Sequence, residues 1–504
     1  VKVKAHHAPA RPADVALLLE GTYPFVRGGV SAWVHKLIEA LPETTFSLVF
    51  VGGSRSDHGP AAYEFPPNVV HFERHYLFEP QRSGTRRCGD DRALEDLDRL
   101  HDHLLGGLQA PVDAALVKRL ALRLATPEGL SREGFLHGDG CWEWICDRYR
   151  RDCPHTSFTN YFWTIRATYL GLFALAEIAG HLPPARFYHS VSTGYAGFLG
   201  ALLSHQRGRP LVLTEHGIYT KERMIDLASA EAFPGDRAQD SGLGGGRRLW
   251  MRFFQGLGKI AYSCAEPIIA LYDGNRKRQI EDGAEPSRTR VVPNGVEVDR
   301  FRALRASLPS HPSPVIGFIG RVVPIKDVKT FIRAMKAIVA ERPDVEGLIV
   351  GPTSEDPGYA AECRQLVSGL GLERNVKFLG FRRPEEILPR LGLVVLTSMS
   401  EALPLVVLEA FASGLPVLTT DVGACRELVE GRTAEDRALG AAGSVVPIAD
   451  PQATARAALA LLRDPARWRR AQRAAVQRVE AHYTQQQMIA AYRQVYREAA
   501  AWPV

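Results

Sequence analysis

The sequence predicts an α/β protein built on parallel, doubly wound sheets. Short apolar runs of strand length alternate with amphipathic segments of helix length from one end of the chain to the other. The runs are apolar on both faces, as strands covered by helices on either side should be. A length of 504 residues calls for two or more domains with sizeable cores.

The first domain opens with a strand at Val15–Leu19, then Gly28 and Gly29 hand over to a helix starting near Ser31. Glycines there let the backbone approach a bound group, and the helix start suits an anion, although alone the pair reads as an ordinary turn. Phe46–Val51 is the second strand. From about residue 75 to 185 the pattern turns helical, with Leu94, Leu97, Leu100 and Leu104 at helical spacing and a long buried helix over Tyr161–Ala179. This is more than a minimal Rossmann-like domain needs and reads as a helical insertion. Strands return at Phe187–Val191, Pro210–Thr214, Pro267–Leu271 and Arg290–Pro293, with a helix over Gly194–His205. His216 falls just past a strand end, where ligands of open α/β sheets bind. Alone, it is as readily structural as functional. Lys221, Glu222 and Arg223 face either a substrate or solvent.

Clustered Ser and Pro near 307–314 mark a hinge at 301–314 between a domain ending near 300 and one starting at 315. Residues 1–13 read as a mobile tail. The second domain begins with the strand Val315–Gly320, followed by Arg321 and Lys326 in the next loop and helix start. Further strands are expected at Gly347–Val350, Val376–Leu379, Leu393–Thr397 and Pro416–Thr420. Pro404 suits a first helical turn and Gly414 a helix stop, so Pro404–Ser413 is expected to be helical. After Ile448 the chain reads as helical, the domain ending near 482 and a last helix occupying 483–504.

Chemistry concentrates between Leu393 and Asp421. The free N–H groups of Leu405 and Val406 and the positive helix end suit a phosphate. Glu401, before the helix, would repel an anion and so faces a neutral hydroxylated group beside it. Glu409 reaches a second such group. One anion between two polyols describes a nucleotide sugar. Arg321 can chelate a phosphate and Lys326 adds a point charge, so two cations and a helix start can replace a divalent metal where a diphosphate leaves.

Other features are weaker. Net charge is +6, with arginine clusters at 148–151, 247–252 and 467–470. These read as solvated helix faces, with contact to an anionic membrane or partner as the sharper alternative. No nucleic-acid recognition module accompanies them. Seven cysteines at irregular spacing argue for reduced thiols and a cytoplasmic location, and Cys141, Cys146 and Cys153 with His137 and His155 lack the Cys-x2-Cys pair of a zinc site. No run reaches membrane-span length. Asp96 and Asp98 imitate a metal-binding Asp-x-Asp but lie on the polar side of a helix, as solvated surface. Gly242–Gly246 and Gly256–Lys259 lack the context of phosphate loops and read as a flexible loop and a helix surface.

Three segments in order carry a resemblance. Gly320-Arg-Val-Val-Pro-Ile-Lys326 resembles a diphosphate clamp, Val291–Phe301 an interdomain segment, and Glu401 with Glu409 an E-x7-E signature, all of the retaining GT-B glycosyltransferases of family 4. The resemblance implies two Rossmann-like domains facing across a cleft, with a C-terminal helix crossing back to the first. It implies that Glu409 binds the ribose, Glu401 and His216 the donor sugar, and the backbone near Gly380, Phe381 and Arg382 the uracil. Gly28 and Gly29 would lie under the diphosphate. Ala402 stands where a glycine is common, and Gly423 to Glu427 departs from Gly-Gly-x-x-Glu. Within the family, the stretches LLLEGTYPFVRGGVSAWVHKLI and TEHGIYTKER resemble cytosolic enzymes of bacterial exopolysaccharide synthesis. These imply a UDP-hexose donor, a polysaccharide acceptor and docking to inner-membrane synthase proteins; with two cations, a helix start and no convincing Asp-x-Asp, transfer is expected to need no metal. A catalytically inactive scaffold that binds nucleotide sugar and a sugar-nucleotide epimerase remain the alternatives.

Overall fold

The computed structural model describes residues 12–79, 91–105, 112–124, 129–229, 245–307 and 311–502. It divides into two compact units, one running up to Val291 and resuming at Tyr492, the other Val292–Ala491.

The first unit holds seven strands, β1 (Ala13–Glu20), β2 (Phe46–Gly52), β3 (Val69–Tyr76), β4 (Ala185–Ser190), β5 (Leu211–Glu215), β6 (Ala265–Ala270) and β7 (Thr289–Val291). They pair in parallel in the order β3-β2-β1-β4-β5-β6-β7. The winding reverses between β1 and β4, and the register sets Leu17 beside His189. Strand β1 begins at Ala13, which is buried, so the expected tail does not reach residue 13; its first eleven residues lie outside those described.

Between β3 and β4 stand the helices Asp91–Leu105, Ala114–Arg123, Arg132–His137, Asp139–Asp152 and Phe158–His181. Leu97, Leu100 and Leu104 are buried in one core with the sheet and the long helix. Two expectations fail here. Asp96 is not solvated surface but buried against Arg119 (3.1 Å), while Asp98 stays partly exposed and accepts from Trp144 Nε1 (2.8 Å) and Arg148 Nε (2.7 Å). Arg148 is not on a solvated face either. It is 2% exposed and reaches Asp98, Asp102 and Asp152. The helices each show a polar side and meet through these pairs, which bury Arg148 and Asp96 while Asp98 and Asp102 stay partly exposed.

Gly256 to Lys259, expected at a helix surface, are buried within the helix Gly245–Cys264. A Cβ on Gly256 would lie 2.7 Å from Leu104 Cα, so the glycine sets how closely two helices approach. Most of the expected flexible loop at 242–246 lies outside the described residues.

The second unit holds β8 (Val315–Ile319), β9 (Glu346–Val350), β10 (Val376–Gly380), β11 (Leu393–Leu396), β12 (Val417–Thr420) and β13 (Gly443–Val446). They pair in parallel in the order β10-β9-β8-β11-β12-β13, reversing between β8 and β11. The unit starts at Val292; Val298–Arg302 runs into the expected hinge and Ala303–Ser307 lies within it, both helical, and residues 308–310 lie outside those described. Helices Pro451–Leu462 and Pro465–His482 follow β13. Arg478 is fully buried and donates to Asp436 Oδ1 and to the carbonyls of Val429, Asp436 and Gly440. The last helix, Gln485–Ala500, starts in the second unit, and from Tyr492 onward it groups with the first.

Candidate functional site

In an open parallel sheet, ligands bind beyond the carboxyl ends of the strands where the winding reverses. In the second unit that point lies between β8 and β11. Arg321 follows β8, Phe381 and Arg382 follow β10, and Ser398 and Glu401 follow β11, so all stand at the same edge of one sheet.

Backbone contacts stitch these loops together. Gly320 N donates to Val350 O (2.9 Å), Gly351 N to Gly380 O (2.9 Å), Met399 N to Ile325 O (2.8 Å) and Ala424 N to Ala402 O (2.7 Å). Two positions admit no side chain. At Gly351 (φ +153°) a Cβ would lie 1.9 Å from Gly320 O, and at Gly423 (φ +55°) 2.3 Å from Glu401 O. Gly423 is therefore needed for its shape, beneath the carbonyls of Glu401 and Ala402.

The helix after β11 runs Leu405–Ala412, capped by Pro404 and Ser413, with no acidic residue in its first turn. Glu409 lies on it, half-buried, and Phe381 is 61% exposed beside Gly380. Arg321 is paired with Glu355 of the loop after β9, both partly exposed. Lys326 ends the turn Pro324–Lys326 and is paired with Glu401. Glu401 Oε1 also accepts from Ser398 Oγ at 2.6 Å. Of the residues singled out from sequence, Lys326 and Glu401 are thus in direct contact. Ser398, which no motif marked, joins them.

The corresponding edge of the first unit is built differently. Gly28 caps the helix Gly29–Glu39 in extended backbone, and a Cβ at either Gly28 or Gly29 would meet nothing within 4 Å. Glu20, at the end of β1, accepts from Ser192 Oγ (3.0 Å), Ala196 N (3.0 Å) and Tyr219 OH (2.7 Å). Glu215, at the end of β5, is buried and accepts from Thr193 Oγ1 (3.0 Å), Tyr219 N (3.3 Å), Gln279 Nε2 (3.0 Å) and Tyr262 OH. Burial raises its pKa against those hydrogen bonds.

His216 follows directly, 9% exposed, its ring 4.5 Å from that of Trp33 and its buried Nε2 without a hydrogen-bond partner among the described residues. Burial lowers its pKa to about 4, so the ring is neutral at pH 7. His189 on β4 is fully buried between Tyr496 OH (2.8 Å) and Thr214 Oγ1 (2.9 Å), its pKa lowered to about 3 by burial and by His216. Sequence reading passed over His189, Glu20 and Glu215. The position of each at or near a strand's carboxyl end was the available signal.

Among the described residues no group of three or more His, Cys, Asp or Glu side chains could hold a metal ion, and no helix is long and apolar enough to cross a membrane. Among the described residues, Cys141, Cys146 and Cys153 take part in no disulfide.

Residues 13–287 match the family model described as Domain of unknown function (DUF3492), more than half of the chain, and the protein belongs to that family. Residues 313–464 match the model described as Glycosyl transferases group 1, so the second unit carries a group 1 glycosyl transferase domain. Among curated proteins, the D-inositol 3-phosphate glycosyltransferase of Streptomyces avermitilis is 29% identical over 320 residues, 60% of this chain and 63% of that protein. That of Rhodococcus erythropolis is 30% identical over 295 residues, 54% of this chain and 62% of that protein. The chain thus spans less than two thirds of the length of these relatives.

Among solved structures, Anabaena HepE in complex with UDP aligns with a TM-score of 0.57 at 16% identity, over 96% of this chain and 100% of that one. Sucrose-phosphate synthase from Thermosynechococcus elongatus aligns with a TM-score of 0.57 at 18% identity, over 96% and 98%. These likenesses carry the fold, two Rossmann-like units of the GT-B class.

Proposed function

We propose that the protein is a retaining, metal-independent glycosyltransferase that moves a hexose from UDP-glucose or a related UDP-hexose to a growing exopolysaccharide. The observation that carries the proposal is the contact of Lys326 with Glu401 at the carboxyl edge of the second sheet, where Arg321 follows β8 and the helix Leu405–Ala412 follows β11. Fixed positive charge there suits a departing nucleoside diphosphate. The bond from the anomeric carbon to the diphosphate oxygen breaks, and a bond from that carbon to an acceptor hydroxyl oxygen forms with the configuration kept.

In this scheme Arg321, Lys326 and the N–H groups of Leu405 and Val406 hold the diphosphate, with Gly28 and Gly29 contributing from the first unit. Glu409 holds the ribose, the backbone at Gly380, Phe381 and Arg382 the uracil, and Glu401 and His216 the sugar. The group 1 domain and the UDP and UDP-glucose complexes of HepE support a nucleotide-sugar donor. The exopolysaccharide acceptor rests on the resemblance of the stretches from Leu17 and from Thr214 to PelF, the cytosolic glycosyltransferase of Pel synthesis. Docking to the inner-membrane Pel synthase proteins belongs to the same proposal.

A thermal-shift panel of nucleotides and UDP-sugars, run with and without EDTA, tests it. UDP and at least one UDP-hexose should raise the melting temperature equally in both conditions, by binding the native state. Sugar transfer or slow donor hydrolysis should vanish in Glu401→Gln with folding intact. A well-folded preparation indifferent to UDP at concentrations on the order of millimolar would overturn the proposal.

A further inference from the structure

Lys326 does not wait with an open charge. Its ammonium donates to Glu401 Oε1, and the two side chains are 19% and 10% exposed. Ser398, itself fully buried, donates to the same oxygen at 2.6 Å. One carboxylate oxygen therefore takes two donors, one from its own loop and one from the loop after β8.

The backbone around this contact is fixed. Thr397 Oγ1 donates to the carbonyls of Lys326 (3.1 Å) and Asp327 (2.9 Å), Met399 N to that of Ile325 (2.8 Å), and Thr420 Oγ1 to that of Ser398 (2.6 Å). What is left to move is the lysine side chain, a point charge on a flexible four-carbon stem. A largely buried carboxylate that lost both donors would be costly; one that keeps a hydroxyl is much less so. A diphosphate carries more negative charge than Glu401 and competes for the same ammonium.

We propose that Lys326 is exchanged between two anions. In the ligand-free protein it neutralises Glu401. An arriving nucleoside diphosphate draws the ammonium to itself, and Glu401, still held by Ser398, is released to accept hydrogen bonds from the hydroxyls of the attached sugar. This rests on the function proposed above and deepens it. The two ends of the donor become coupled, because UDP alone must break the pair while the intact sugar nucleotide regains a partner for the freed carboxylate. Ser398 is a positioning residue in this exchange.

UDP calorimetry at fixed ionic strength on the wild type, Glu401→Gln, Lys326→Gln, the double variant and Ser398→Ala tests the exchange, with melting curves to verify folding. Glu401→Gln, while losing transfer, should bind UDP tighter by roughly 3- to 10-fold, since the lysine no longer has a competing partner. In the Lys326→Gln background the same substitution should change UDP affinity by less than about twofold. Ser398→Ala leaves the lysine as the donor to Oε1 and should weaken UDP binding by roughly 2- to 5-fold. Unchanged or weaker UDP binding in Glu401→Gln overturns the exchange. So does a gain that persists in full without Lys326, which simple charge repulsion would give. Both outcomes presuppose a wild type that binds UDP; failure of that binding overturns the proposed function itself.

Discussion

Two sheets wound the same way carry opposite chemistry at their carboxyl edges. In the first unit the charged groups beside the reversal are buried or satisfied: Glu215 takes four donors, Glu20 takes three, and two histidines are held neutral. In the second, Arg321 is exposed, Lys326 is held only at its tip, and a helix begins without an acid in its first turn. Winding supplies the place, and side-chain charge decides what the place can receive. Substitutions at the first edge should therefore cost stability, and those at the second should cost ligand.

The sharpest break in that contrast is Glu215→Ala. Three buried side-chain donors and the Tyr219 N–H lose this acceptor, and stability of the first unit should fall by about 3–5 kcal/mol, read from urea denaturation. Acid should act on the same edge. His216 and His189 are neutral in the native protein with pKa values of about 4 and 3, and take protons near the ordinary value of 6.5 once unfolded. The unfolded chain then binds more protons as pH falls below about 6.5, so stability drops between there and about 4, by roughly 3 kcal/mol for His216. Glu215, whose pKa burial raises, opposes this in part. Melting curves against pH should show the slope, and His216→Gln should flatten it.

At the second edge, Arg321→Ala should leave the melting temperature unchanged and weaken UDP by about 1.5–3 kcal/mol in calorimetry, the worth of a charge-assisted contact. A loss of stability there, without loss of ligand, would erase the contrast. The smallest effect belongs to Glu355→Ala. It removes an exposed pair worth at most about 1 kcal/mol and should tighten UDP slightly by freeing Arg321.

The sequence was most legible where strands are covered on both faces and turns carry their own punctuation. The strands β11 and β12 and the helix between them stand within a residue of their expected bounds, with Pro404 and Ser413 as caps. The strands that escaped notice, β3 and β13, are both sheet edges. Val69–Tyr76 is mostly half-buried and carries Glu73 and Arg74, and Gly443–Val446 opens with Gly443 and Ser444 and is half-buried at its middle, so neither shows the apolar run of a central strand. At the candidate site, charge type and strand-end position were readable, but pairing was not. Nothing local announces that Lys326 meets Glu401, or that Arg148 reaches Asp98 and Asp102 on another helix, because those contacts join residues far apart in the chain.

The stitching of the second edge carries a warning for anyone mapping this protein by saturation mutagenesis. Any side chain at position 351 would displace the Gly320 carbonyl, and with it the peptide that leads into Arg321; at 423 it would displace the carbonyl of Glu401. Both glycines would score as intolerant as the charged residues they underlie. A heat map of lost fitness would therefore outline the scaffolding together with the machinery, and only alleles that stay folded yet lose nucleotide would tell one from the other.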